Sequence, residues 1–163
     1  MIVWLSTCDL TSYDRTFISL SANKNSVQHV TEQYQQITQL VQRYPACKLT
    51  FLETPPYSII NFNKHRGHVK PSTYKSQEEE LLKNIHELNE AIRYINSTIN
   101  TFSPSLATDL SHRHTEAGSK STKIYARDNY AFHLYADDIN PDEFLAKVWL
   151  KKIALHVQKE CWR

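Results

Sequence analysis

The stretch Ile2-Val3-Trp4-Leu5-Ser6-Thr7-Cys8 decides the fold, because it is a short, continuous run of apolar and β-branched residues. Such a run predicts a strand that is buried on both faces, which is typical of a parallel sheet. Two further strands are predicted at residues 48–53 and 105–110, and residues 130–135 are predicted to be extended. The polar segment 9–25 is expected to be a loop.

Amphipathic helices are predicted between these strands. Residues 26–44 carry apolar side chains every three or four positions, and Ser26 is a candidate N-cap. Residues 76–102 show the same spacing, and they open with a capping box formed by Ser76 and Glu79. Both patterns predict helices with one buried face.

A last helix is predicted over residues 140–155, where Asn140 is the expected N-cap and Pro141 stands in the first turn. The order of elements is therefore β-α-β-α-β, a loop and a helix. Strands that alternate with helices of this length indicate an α/β fold, in which helices cover both faces of a parallel sheet. No repeat or linker interrupts the pattern, so we expect a single domain over residues 1–163.

The composition excludes several classes of protein. Hydrophobic residues make up 40% of the chain and the net charge is +2, which indicates a globular domain and argues against nucleic acid or an anionic membrane as a partner. No apolar run is long enough to span a membrane. There are two glycines, where average usage would give roughly 11. Glycine-rich phosphate loops and nucleophile elbows are absent, and no cofactor is expected.

The cysteines predict the compartment. Cys8, Cys47 and Cys161 are widely spaced and form no CxxC pair. The first nine residues lack a basic segment and reach an acid at Asp9, so they do not look like a signal peptide. We therefore expect free thiols in an intracellular, cytoplasmic protein.

Two segments resemble the SGNH hydrolase family, the GDSL-like esterases and lipases. Residues 2–10 resemble the third sequence block of that family, an apolar strand that ends in Gly-x-Asn-Asp. Residues 137–141, followed by the helical residues 144–150, resemble the fifth block, Asp-x-x-His before the last helix. The resemblance implies a three-layer α/β/α fold with a parallel, flavodoxin-like sheet, whose first two strands would lie before residue 1 and are missing here.

The resemblance also implies where a site would lie and what it lacks. Ser6 stands where the family has glycine, and Cys8 stands where it has the asparagine that donates to the oxyanion. Asp137 would be the residual triad acid, whereas Asn140 takes the place of the general-base histidine. The Gly-Asp-Ser block of the nucleophile is absent. An amide cannot act as a base, so the resemblance predicts a catalytically inactive pseudoenzyme that binds or scaffolds.

Ser6, Cys8, Asp9 and Glu53 are expected to form the rim of the pocket, since each lies in or just after a predicted strand. Other interpretations stay open: Cys8 as a structural thiol or as a nucleophile, Asp137 as an ordinary loop acid, and Asn140 as no more than a helix cap. An active hydrolase of small acyl esters in a longer chain is the first alternative function.

Two further hypotheses concern the polar segment 111–130. His112 and His114 could bind zinc with Glu116 or His133 as a third ligand, although polar loops often carry histidine without a metal and no metal is expected. Basic residues interleaved with tyrosine could contact nucleic acid, as in an accessory domain of a mobile element: Lys120, Lys123, Tyr125, Arg127 and Tyr130.

The missing strands have a consequence for self-association. Without them, residues 2–8 would form the edge of the sheet, with no charged side chain before Asp9. Apolar strand edges pair with other chains. We therefore expect the chain to dimerise or aggregate through this strand.

Overall fold

Two short parallel strands lie at the centre of the molecule, which the computed structural model describes over residues 1–5, 7–111 and 129–162. Strand β1 (Ile2–Val3) pairs with β4 (Thr50–Phe51), and Ile2 is in register with Thr50. The remaining elements are α1 (Thr7–Leu10), β2 (Thr11–Tyr13), β3 (Ile18–Leu20), α2 (Ser26–Val41), α3 (Ile59–His65), α4 (Lys75–Thr98) and α5 (Glu143–Cys161). The fold is mixed α/β, as predicted.

The parallel pair separates two apolar cores, because successive side chains of a strand point to opposite faces. Val3 and Phe51 pack into the first core, whereas Ile2 and Leu52 pack into the second. Helices α2, α3 and α4 enclose the first core, and helix α5 covers the second. Buried side chains of the helices in the first core include Val30, Tyr34, Ile59, Phe62, Leu81, Ile85, Leu88, Ile92 and Ile95.

The two long predicted helices are present, with small differences at their ends. Helix α2 begins at Ser26 but is preceded by Asn25 as its N-cap residue, without a side-chain capping bond. The predicted capping box of Ser76 and Glu79 is wrong, since α4 already begins at Lys75. A 3₁₀ turn over Pro71–Tyr74 runs directly into this helix, so Ser76 lies inside the first turn.

The predicted strand at residues 2–8 is too long. It ends at Val3, and residues Thr7–Leu10 form a short helix instead. The predicted loop over residues 9–25 contains the antiparallel hairpin of β2 and β3. The carboxylate of Asp14 closes its turn by accepting hydrogen bonds from the main-chain amides of Thr16 and Phe17, at 3.0 and 2.8 Å.

The third predicted strand is also wrong. Residues Ala107–Asp109 form a 3₁₀ turn, and residues Phe132–Leu134 form another where an extended segment was expected. Leu106 and Leu110 are both fully buried whereas Thr108 between them is exposed, and this spacing of four fits a helical turn and not a strand. Among the described helices, none is long and apolar enough to cross a membrane.

Candidate functional site

The carboxyl ends of β1 and β4 are joined by one dipeptide, Tyr57-Ser58. The phenol of Tyr57 donates to the carbonyl of Thr7, just after β1, at 2.9 Å. The main-chain amide of Ser58 donates to the carbonyl of Asp138 at 3.3 Å. The structure thus brings the turn after β1 and the turn of residues 137–140 to the same end of the parallel pair. We refer to this end as the rim.

Two buried tyrosines hold the rim together, and the sequence analysis missed both. Tyr135 donates from its phenol to the carbonyl of Pro56 at 2.6 Å. Burial raises the pKa of Tyr57 and of Tyr135 well above that of a free phenol. Both side chains therefore remain neutral hydrogen-bond donors to the main chain. Their position beside the Thr54-Pro55-Pro56 break was the available signal, because a buried tyrosine needs a partner for its hydroxyl.

The carboxylate of Asp137 is occupied by its own turn. Its Oδ1 accepts from the amides of Ile139 and Asn140, at 3.1 and 2.6 Å, and its Oδ2 accepts from Nδ2 of Asn140 at 2.8 Å. Burial alone would raise the pKa of Asp137, but these hydrogen bonds, with a smaller contribution from the charge of Arg66, lower it. The group is an ionised turn-forming carboxylate.

Asn140 is not the N-cap of the last helix, as the sequence analysis expected. Asp142 is, since its Oδ1 accepts from the amide of Leu145 at 2.7 Å. The amide of Ala136 donates to the carbonyl of Asn140, and Tyr135 bridges Pro141 in an antiparallel sense. These contacts hold Asn140 in a tight turn before the helix, and they postpone the start of the helix by two residues.

Cys8 and Asp9 lie on α1 with exposed side chains. Within the described residues, neither side chain makes a hydrogen bond or an ion pair. Ser6, the third predicted residue of this segment, lies outside the described residues. A helical turn therefore stands where the resemblance implies a loop with a donor to an oxyanion.

Glu53 is a structural ion-pair partner of α4. Its Oε2 lies 2.5 Å from Nη1 of Arg93, and its main-chain amide donates to the hydroxyl of Ser103 at 2.9 Å. The pKa of Glu53 is raised because burial opposes its charge more strongly than Arg93 favours it. This carboxylate is therefore held against a helix.

A second buried carboxylate lies behind the rim. Glu78 accepts at Oε2 from the hydroxyl of Ser58 at 2.8 Å and from the amide of Ile60 at 2.7 Å. Ser58 also caps α3 by accepting from the amide of Asn61 at 3.0 Å. The hydroxyl of Ser58 is thus committed both as donor and as acceptor. Sequence reasoning missed this pair, for which a serine before an apolar helical segment was the only local signal.

A polar cavity lies at the other end of β4. Its volume is about 320 Å³, and Lys48, Thr50, Thr101 and Glu160 are among its lining residues. The hydroxyl of Thr50 lies 2.7 Å from that of Thr101 and 3.1 Å from Nε2 of His156. His156 is buried, its Nδ1 has no partner within the described residues, and burial lowers its pKa.

The predicted metal and nucleic-acid residues fall almost entirely outside the described part of the chain. His112, His114, Glu116, Lys120, Lys123, Tyr125 and Arg127 all belong to that segment. His133 is described and exposed, on the 3₁₀ turn before Tyr135. In the described ranges, no three histidine, cysteine or acidic side chains are placed to hold a metal ion. The zinc and nucleic-acid hypotheses stay predictions.

Comparison with known proteins adds no relative to these observations. Protein-family models, curated proteins and solved structures give no match to this chain. An interpretation of its function therefore depends on the geometry of the rim.

Proposed function

We propose that this chain is a binding or scaffolding domain with the layered α/β architecture of an SGNH hydrolase and without ester-hydrolysing activity. The observation that carries the proposal is the contact between Asp137 and Asn140. Both oxygens of the carboxylate accept hydrogen bonds from that one residue. In a hydrolase triad, the acid must instead orient a histidine that takes a proton from the nucleophile.

The layering of the molecule supports the family part of the proposal. A parallel pair lies between two cores, and helices cover both of its faces. The turn after β1 and the turn of residues 137–140 both contact Tyr57-Ser58, as expected for two segments that share the carboxyl edge of a parallel sheet.

The committed polar groups at this end of the sheet support the absence of catalysis. Glu53 pairs with Arg93, and Ser58 is engaged with Glu78 and the start of α3. A nucleophile needs a base within hydrogen-bond reach. The exposed, unpaired thiols of Cys8, Cys47 and Cys161 further fit a protein of a reducing, intracellular compartment.

Hydrolysis of short-chain p-nitrophenyl esters tests the proposal. The chain is compared with Asp137→Ala and with a matched control, Asp14→Ala, which removes a carboxylate that closes a turn in the peripheral hairpin. We expect no rate above buffer for any of the three proteins. Circular dichroism confirms that each variant is folded.

Either of two results would overturn the proposal. A wild-type rate that falls tenfold or more in Asp137→Ala but not in Asp14→Ala would make Asp137 a catalytic acid. An equal rate in all three proteins would place an esterase activity elsewhere in the chain.

A further inference from the structure

Side-chain amides close one edge of each strand pair. On β4, the amide group of Asn96 binds both the amide and the carbonyl of Phe51, at 3.0 and 2.7 Å. On β3, the amide group of Asn63 binds the amide and the carbonyl of Ile18, both at 2.8 Å. These outward-facing main-chain groups are therefore satisfied without another strand.

The outer edge of β1 has no such closure. The carbonyls of Met1 and Val3 accept from the amides of Thr50 and Leu52 on the inner side, at 3.0 and 2.9 Å. Alternation along the strand therefore turns the main-chain groups of Ile2 and Trp4 outward. Within residues 1–5, 7–111 and 129–162, no hydrogen bond to those outward groups is found.

The side chains around this edge are apolar and partly exposed. Met1, Trp4 and Leu5 expose 51%, 41% and 48% of their surface. The amino group of Met1 is turned to the carbonyl of Lys48, away from the open edge. No charged side chain occurs before Asp9. Charges near a strand edge are the usual protection against pairing, and this edge lacks them.

The outer edge of β2 provides an internal contrast. It too is open, but exposed charged side chains surround it: Asp9, Asp14 and Arg15. An incoming strand would have to approach or desolvate these charges. Of the two open edges in the described chain, only that of β1 is both unpaired and uncharged.

We propose that the β1 edge binds the β1 edge of a second copy of this chain. This inference names a partner for the scaffolding role and rests on the proposed function. An antiparallel pair centred on Val3 places Ile2 of one copy opposite Trp4 of the other, so that the outward amides and carbonyls of both residues match. The arrangement is two-fold symmetric, and a second copy satisfies the pattern by symmetry. The product is a four-stranded sheet across the dimer.

Sedimentation velocity tests the proposal on the full chain and two matched leucine variants. Edge contacts of this size give weak complexes, so the concentration series runs from about 5 to about 500 µM. Leu5→Lys places a charge beside the β1 edge. Leu150→Lys makes the same exchange at a leucine on α5 that is 64% exposed. We expect the wild type and Leu150→Lys to shift towards twice the chain mass of 19.1 kDa. Leu5→Lys should stay monomeric.

Hydrogen exchange provides a readout that needs no variant. Amides of residues 2–5 should gain protection as the concentration of the wild-type chain rises, whereas those of the β2–β3 hairpin should not. A monomer at every concentration overturns the proposal, and so does a dimer that persists in Leu5→Lys or leaves residues 2–5 unprotected. The esterase assay is independent of this result, so failure of the dimer and failure of the proposed function are distinguishable.

Discussion

Replacing Asn96 with leucine should destabilise the fold strongly, because this one side chain satisfies two buried main-chain groups. Asn96 is 1% exposed, and its amide group binds both the amide and the carbonyl of Phe51. Leucine has a similar size but can neither donate nor accept. Phe51 itself is fully buried, so water cannot replace the lost partner.

The magnitude follows from the two groups left unpaired. Each buried donor or acceptor without a partner costs about 1–3 kcal/mol, so the free energy of unfolding should fall by about 2–6 kcal/mol. In a chain of this size, 1 kcal/mol corresponds to a fall of about 2–4 °C in Tm. We therefore expect Asn96→Leu to unfold roughly 4–24 °C below the wild type.

Thermal unfolding followed by circular dichroism measures the effect, with urea unfolding as a second measurement. The matched control is Asn84→Leu, the same exchange at a partly exposed position of the same helix. The difference in helix propensity is then shared by both variants. If the two variants have Tm values within about 2 °C of each other, the Asn96 contact contributes nothing and the reasoning is refuted.

Two further predictions concern the last helix. Burial lowers the pKa of His156, so the unfolded chain takes up the proton first; the stabilisation is complete above about pH 6.5 and is lost as the pH falls towards the lower folded pKa. Between pH 7.5 and 5, Tm should fall less in His156→Gln than in the wild type, and equal slopes would contradict this. Asp142→Ala should lower the free energy of unfolding by about 1 kcal/mol, the usual contribution of a helix N-cap. Urea unfolding should show a smaller loss for Asn140→Ala, and the reverse order would restore Asn140 as the cap.

Periodicity predicted the helices well because their apolar faces are long. Leu81, Ile85, Leu88, Ile92 and Ile95 repeat along α4, and all five are buried as the spacing requires. The parallel pairing of the first two predicted strands is confirmed at Ile2–Val3 and Thr50–Phe51. Strand length was not predictable in the same way, because a short apolar run fits a strand or a buried turn equally well.

The polar contacts of the rim depend on tertiary structure. Asn140 followed by Pro141 satisfies the local rules for a helix start, yet contacts with Ala136 and Asp137 hold it outside the helix. Asn89 and Asn96 stand seven residues apart beside the apolar stripe of α4, and this spacing was the available signal for their burial. What they bind is fixed by where β4 lies, which local sequence does not specify.

The asparagine contacts of α4 also bear on how the chain folds. Asn96 binds Phe51 and Asn89 binds Thr54, so the edge of β4 is complete only when this helix is in place. A two-residue strand has too little pairing of its own to persist without that helix. The centre of the sheet and its longest helix therefore belong to one cooperative unit, and main-chain amides of β4 open to solvent only when α4 detaches.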